Sequence, residues 1–408
     1  MPSRIIAGID IGSTKIVTVI AEIDPDDAVR ILGYGIVPSK GVDRGKITNL
    51  EEVTRAVGNS ISMAEQMGGY RIGSAYVSIS SQHIQAYSQM GSAAITRDMT
   101  VTRDHIMRAI ENAQAIKLPP GTEILHVMPY CYVLDDVMYA DPCGINGYRL
   151  DVHVHMVVCE TLAIQNLITV MKNNGVEIDD VVLQPLAAAE AVLTDTDREN
   201  GVVLIDIGSS ATGVAFIAQG NTTHTHIIPI GSNTVTNDIC LTFNISPHSA
   251  EHNKKQIGEA IADEVRHKDI IEIEGRMAGV RVPIQRFQFN DCIQARLDEL
   301  IDFIISEVDY SNYNGAYAAG VVLTGGGALL NRIEDLFVMR FNAPVRIGDV
   351  GQLRGHSDVL QSPMFATVIG LVRWGFNHGV GHGPQNAEPS TWLELYERVK
   401  MWLREFLP

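Results

Sequence analysis

Residues 5–14 read IIAGIDIGST and residues 201–210 read GVVLIDIGSS. Each is an apolar, β-branched run that ends in Asp-Ile-Gly-Ser and a hydroxyl residue. Each leads into a second β-rich run, IVTVIAEI (16–23) after the first and VAFIA (214–218) after the second. Both copies therefore read as two strands joined by a tight glycine turn. They lie about half a chain apart, the mark of two duplicated α/β halves.

Helical segments alternate with these strands, as an α/β fold requires. Helical spacing predicts helices over Asn49–Met67, stopped by Gly68-Gly69, and over Thr102–Ile116, stopped before Pro119-Pro120. It also predicts helices over Thr161–Asn174 and Phe289–Val308. A third glycine element, Gly325-Gly326-Gly327-Ala328, follows the apolar run GVVLT and precedes LLNRIEDLF, read as a helix.

A nucleoside triphosphate needs amide N–H groups aimed at its oxygens, a cation, and room for close approach. Glycine turns supply the amides and the room, and a lysine supplies the charge. Asp10, Gly12, Ser13, Thr14 and Lys15 contain all of these parts. Asp10, at a strand end, suits a hydrated Mg²⁺, and Lys15 suits the β- and γ-phosphates. Asp206, Gly208, Ser209 and Ser210 would close from the other half, with Asp206 beside the same ion. Gly325, Gly326 and Gly327 would let backbone lie against the nucleoside, with a helix N-terminus near the phosphates. Neither GxxxxGK[ST] nor GxGxxG is present.

Composition fits this reading. The 408 residues are 46% hydrophobic and 19% charged, enough for more than one domain. A net charge of −17 without basic patches argues against nucleic acid as a partner. Five cysteines, none at CxxC spacing, suit a reducing compartment. His153 and His155 share one face of a strand-like run; a metal site there is conceivable, and a structural role is favoured. The N-terminus lacks a signal-peptide pattern, and no apolar run reaches the roughly 18 residues that span a bilayer.

Residues 376–390, FNHGVGHGPQNAEPS, read as a flexible linker. Beyond it, Thr391–Glu394 forms a capping-box pattern that opens a terminal helix, 391–408. On a helical projection Trp392, Leu395, Tyr396, Val399, Trp402, Leu403, Phe406 and Leu407 share one arc of about 140°. Tryptophan and tyrosine favour the headgroup boundary, so peripheral binding to membrane lipids is expected. Three acids balance three bases in this tail, so apolar burial must drive attachment, on the order of 12–20 kcal/mol before ordering costs.

Taken together, these motifs resemble the actin, sugar-kinase and heat-shock-70 superfamily and, within it, the FtsA family of bacterial cell-division proteins. The resemblance covers nearly the whole chain. GVDRGKITNL (41–50), residues 126–155, QPLAAAEAVL (184–193), IPIGSNTVTNDI (228–239) and SPMFATVIGLVRWG (362–375) carry it. It implies an actin-like fold of two halves, with ATP and Mg²⁺ between them. It implies subdomain 1A over 1–82 and 162–198, and the FtsA-type subdomain 1C, a subunit contact, over 83–161. Subdomain 2A is expected over 199–229 and 306–375, and 2B over 230–305. Glu251 and Lys254 match the helix over the adenosine, although by themselves they read as a solvated helix face. Gln184 matches the glutamine that positions an attacking water, where a sugar kinase would carry a carboxylate base.

The family resemblance also implies partners. These are the C-terminal peptide of the tubulin-like protein FtsZ, docking on 230–305 with Arg296 as a candidate contact, other copies of the chain, and later division proteins. The expected location is the cytoplasmic side of the inner membrane at the septum. Where relatives read DIGGGT-x-D, this chain has Ser209, Ser210 and Gly213, so hydrolysis is expected to be slow at most and ATP mainly an assembly ligand. Two other roles share the fold: a small-molecule kinase, disfavoured by Gln184 and the tail, and a pilus-assembly adaptor, disfavoured by the tail.

Overall fold

In the computed structural model the described residues are 4–24, 28–96, 99–262, 269–276, 279–310 and 317–378. The expected terminal helix, 391–408, and residues 379–390 of the expected linker lie outside them.

The first apolar repeat forms an antiparallel pair, β1 (Arg4–Ile11) and β2 (Lys15–Ile23), with β3 (Val29–Pro38) beside β2. A two-residue ladder, β4 (Val42–Asp43) and β5 (Lys46–Ile47), precedes α1 (Leu50–Gly68). The Asn49 side chain caps that helix by accepting from Glu52 N–H, and left-handed Gly69 closes it. Strand β6 (Ser74–Ile79) then runs parallel to β1.

Next comes an inserted unit built of β7 (Gln85–Ala94), α2 (Arg103–Gln114), β8 (Thr122–Leu134), β9 (Val137–Tyr139) and β10 (Arg149–Glu160). Its four strands pair in the order β7-β10-β8-β9, and α2 covers one face. The chain returns through α3 (Thr161–Asn173), β11 (Glu177–Leu183), α4 (Gln184–Val192) and α5 (Asp195–Asn200).

The second repeat forms the antiparallel pair β12 (Val202–Ile207) and β13 (Thr212–Ala218), with β14 (Asn221–Ile228) beside β13. Helices α6 (Ser232–Phe243) and α7 (Pro247–Ile257), the hairpin β15 (Ile270–Glu274) and β16 (Arg281–Gln285), and the long helix α8 (Arg286–Tyr310) follow. Strand β17 (Val321–Thr324), α9 (Ile333–Phe341) and β18 (Val345–Ile347) complete this half. Last come β19 (Leu353–Gly355) and α10 (Ala366–His378).

The duplication is visible in the pairing. One sheet runs β3-β2-β1-β6-β11 and the other β14-β13-β12-β17-β18, with an antiparallel hairpin and two parallel strands in each. Strands β12, β13 and β17 of the second sheet are buried on both faces, and alternate residues of β12 and β13 enter different cores. Val202, Leu204, Ala215 and Ile217 join the core of the first half, whereas Val203, Ile205, Val214 and Phe216 join that of the second.

One expected boundary is corrected. Residues 353–378 were placed with the second half up to 375, followed by a linker from 376. Instead β19 adds to the first sheet beside β3, and α10 packs on β1, β2 and α4. Phe376–His378 are the last turn of α10. The physical reason is the apolar face of α10: Val368, Ile369, Leu371, Val372 and Trp374 fill the first core. Helices α4 and α10 cross at Gly370, where a Cβ would stand 1.7 Å from the Ala187 carbonyl oxygen.

Candidate nucleotide cleft

Both repeats close in the same way. Gly12 N–H donates to the Lys15 carbonyl at 3.0 Å, and Gly208 N–H donates to the Ala211 carbonyl at 3.0 Å. A Cβ on either glycine would lie 2.8–2.9 Å from that oxygen. The glycine in each Asp-Ile-Gly-Ser is thus required by a tight closing contact. The two turns also meet, since Ser13 Oγ and Ser210 Oγ are 2.6 Å apart.

Around them lies a cleft of about 640 Å³, within the size range of small-molecule sites. Asp10, Gly12, Ser13, Thr14, Lys15, Gln184, Asp206, Gly208, Ser209, Ser210, Glu251, Lys254, Gly325, Gly326 and Gly327 all line it. Residues from three distant parts of the chain are therefore brought together by the two hairpins, the helices behind them, and the turn after β17.

Charge is concentrated at the bottom. Asp10 and Asp206 are buried and stand next to last in the equivalent strands β1 and β12 of the two halves. Burial pushes Asp10 above the carboxylate range, against the pull of the Ser78 hydroxyl, which donates to Oδ1 at 2.7 Å, and of Lys15. Asp206 is pushed up to about 7 by burial and then by the like charge of Asp10. Thr367 Oγ1 donates to its Oδ2 at 3.3 Å, and Lys15 attracts it, both acting in the opposite direction. Lys15 is itself pulled down by burial, and both aspartates oppose that. Its Nζ donates to the Met364 carbonyl at 2.7 Å and lies 4.0 Å from the Phe365 ring centroid. A carboxylate whose proton affinity is raised by a neighbouring carboxylate marks a place that suits a cation.

The far wall is a polar cluster on α6 and α7. Buried Lys254 donates to the Ser232 carbonyl at 2.8 Å and to Thr236 Oγ1 at 2.7 Å, and pairs with Glu251 at 2.6 Å. Thr236 Oγ1 donates to Glu251 at 2.5 Å. This pair is not the solvated helix face that its spacing alone suggests, because α7 turns it inward against the N-terminus of α6.

Two expectations are corrected here. The glycine run leads into a single 3-10 turn, Gly326–Leu329, and α9 begins only at Ile333, after left-handed Arg332 at φ 62°. The reason lies at Gly325, at φ 83°, where a Cβ would stand 2.3 Å from Asp206 Oδ1; the chain bends around the carboxylate rather than entering a helix. Arg296, read as an exposed contact for a peptide partner, instead lines the cleft. It makes a two-toothed pair with Asp238 at 2.6 and 3.1 Å and a further pair with Glu299. Three carboxylate oxygens surround its guanidinium.

Some cleft residues carry no motif. Ser78 sits on β6, Thr367 opens α10, and Met364 lies in the turn before it; only the fold brings them under Asp10, Asp206 and Lys15. Of the two histidines weighed as a metal pair, His155 is buried and its Nε2 lies 2.9 Å from Thr225 Oγ1, while the His153 ring packs at a tilt against Tyr130. The run Thr223-His224-Thr225-His226 carries the same alternating signal.

Comparison with known proteins agrees with this architecture. A family model described as cell division protein FtsA matches residues 203–370, and one described as the SHS2 domain inserted in FTSA matches residues 81–158. Cell division protein FtsA of Pseudomonas aeruginosa is 33% identical over 412 residues, 98% of each chain. Among solved structures, a chain of a PilM–PilN type IV pilus biogenesis complex superposes with a TM-score of 0.65 at 14% identity, covering 92% of this chain and 99% of that one. MreB5 of Spiroplasma citri, bound to ADP, gives a TM-score of 0.55 at 14% identity over 90% and 94%. Those two likenesses establish an actin-like fold; the full-length identity goes further, and the chain belongs to the FtsA family of cell-division proteins.

Proposed function

We propose that the chain binds ATP with Mg²⁺ between its two halves and, in that state, self-associates and holds FtsZ filaments at the cytoplasmic face of the membrane. The observation that carries the nucleotide reading is the meeting of the two glycine turns over a buried lysine and two facing aspartates. The residues fit the ligand. Gly12, Gly208 and Gly325 leave backbone bare where phosphates need close approach, and Asp10 and Asp206 match a hydrated dication. The ion would neutralise phosphate charge. Lys15 would leave the Met364 carbonyl for the phosphates. Ser13 and Ser210 would exchange their mutual bond for phosphate oxygens. Gln184 opens α4 at the cleft and is the candidate for orienting a water, and Glu251 and Lys254 would flank the adenosine.

Membrane attachment rests on the apolar arc of residues 391–408. Binding of the FtsZ C-terminal peptide to 230–305, subunit contact through 83–161, recruitment of later division proteins and placement at the septum rest on family membership. Fluorescence titration with a labelled ATP tests the cleft. Lys15→Ala should weaken binding at least about tenfold, the loss of one charge-assisted contact; unchanged affinity would remove the first repeat from the site.

A further inference from the structure

We propose that His224, His226 and Glu307 form a binding site for a transition-metal dication of the zinc class, separate from the nucleotide cleft. Two alternating residues of β14 present imidazoles to one side, and α8 brings Glu307 against them. Glu307 Oε2 lies 3.2 Å from His224 Nε2 and 3.5 Å from His226 Nδ1. One donor atom from each of the three residues falls within 4.8 Å of the others. Around a tetrahedral zinc with bonds of about 2.0–2.1 Å, neighbouring donors stand about 3.3 Å apart. The two distances bracket that value, so Glu307 Oε2 already stands from each imidazole at nearly the spacing the ion imposes, and the two imidazole nitrogens lie within 4.8 Å of each other.

The surroundings agree. The Phe216 ring centroid lies 5.4 Å from that of His224, an apolar backing. His226 is 40% exposed, which leaves an entry path and a side for a water ligand. On the buried side, His155 of the inserted sheet packs with its ring centroid 5.8 Å from that of His224. Its Nδ1 is buried without a hydrogen-bond partner among the described residues, while its Nε2 bonds to Thr225, which stands between the two proposed ligands. An ion here would tie α8 to β14 directly behind the contact between the inserted unit and the second half.

The test uses the full chain, freed of metal and nucleotide. Zn²⁺ is titrated against a chromophoric chelator, and Co²⁺ is added to read ligand type from its visible spectrum. One equivalent should bind, with a tetrahedral nitrogen–oxygen Co²⁺ spectrum. His226→Gln and Glu307→Gln should each weaken it by about tenfold or more, and Zn²⁺ should raise the melting temperature of the wild type but not of either variant. Both variants change half-exposed side chains, and circular dichroism checks their folding. Equal binding by variants and wild type would overturn the proposal. So would thiolate-to-Co²⁺ charge-transfer bands, which would place the ion on the cysteines, or no binding by the wild type. These last two readings hold whether or not a variant folds.

Discussion

Asp206 sets the pH behaviour of the cleft. Its carboxyl is raised from the ordinary 3.8 to about 7 by burial and by Asp10. The folded state therefore holds a proton that the unfolded chain has lost between those values, and stability falls as pH rises from about 4 to 7. Asp206→Asn removes the charge and keeps the shape. At pH 8, without nucleotide, it should raise stability by on the order of 1–4 kcal/mol and flatten this pH slope. The same change should abolish any Mg²⁺ dependence of ATP affinity. A urea midpoint lower than wild type at pH 8 would refute the electrostatic account. Asp10, Lys15 and the paired glycines were legible because charged and glycine residues at strand ends have few bland explanations. Thr367, Ser78 and the inward turn of Lys254 were not, because hydroxyls and helical E-x-x-K pairs occur everywhere.

At the level of elements, the crossing of α4 and α10 brings Gln184 and Thr367, in the first turns of the two helices, into the lining of the cleft. Gly370 allows it, with an Ala187 oxygen 1.7 Å from any added Cβ. An alanine in an ordinary helix would gain about 0.5–1 kcal/mol over glycine. At this position the sign should reverse: Gly370→Ala is expected to cost roughly 2–3 kcal/mol through overpacking, read as a lower urea midpoint. A neutral or stabilising outcome would mean the two helices can part freely. Helix positions were readable to within about three residues where caps and glycine stops frame an amphipathic run, as for α1 between Asn49 and Gly69. The bend after β17 was misread because three glycines give no periodicity, and whether they lead into a helix or a 3-10 turn depends on Asp206, over a hundred residues away.

At the scale of the whole molecule, the two halves have one strand order and share their cores across the second sheet, so the cleft is a seam between copies. The proposed tether adds the terminal segment to this body. Trp392→Glu with Trp402→Glu should release the protein from liposomes of anionic and neutral lipid in co-sedimentation and leave ATP affinity as in the wild type, because among the described residues the cleft lining ends at Thr367. Sedimentation with lipid at the wild-type level would exclude the apolar arc as the anchor. Local patterning by itself determined the duplication, the glycine turns and the amphipathic helices, since period, charge and backbone freedom are properties of short segments. Tertiary structure alone decided that α10 returns to the first half, that Arg296 faces the cleft and is neutralised by Asp238, and that His155, His224, His226 and Glu307 converge. Those outcomes depend on which distant surfaces bury against each other, and no stretch of chain encodes its partner.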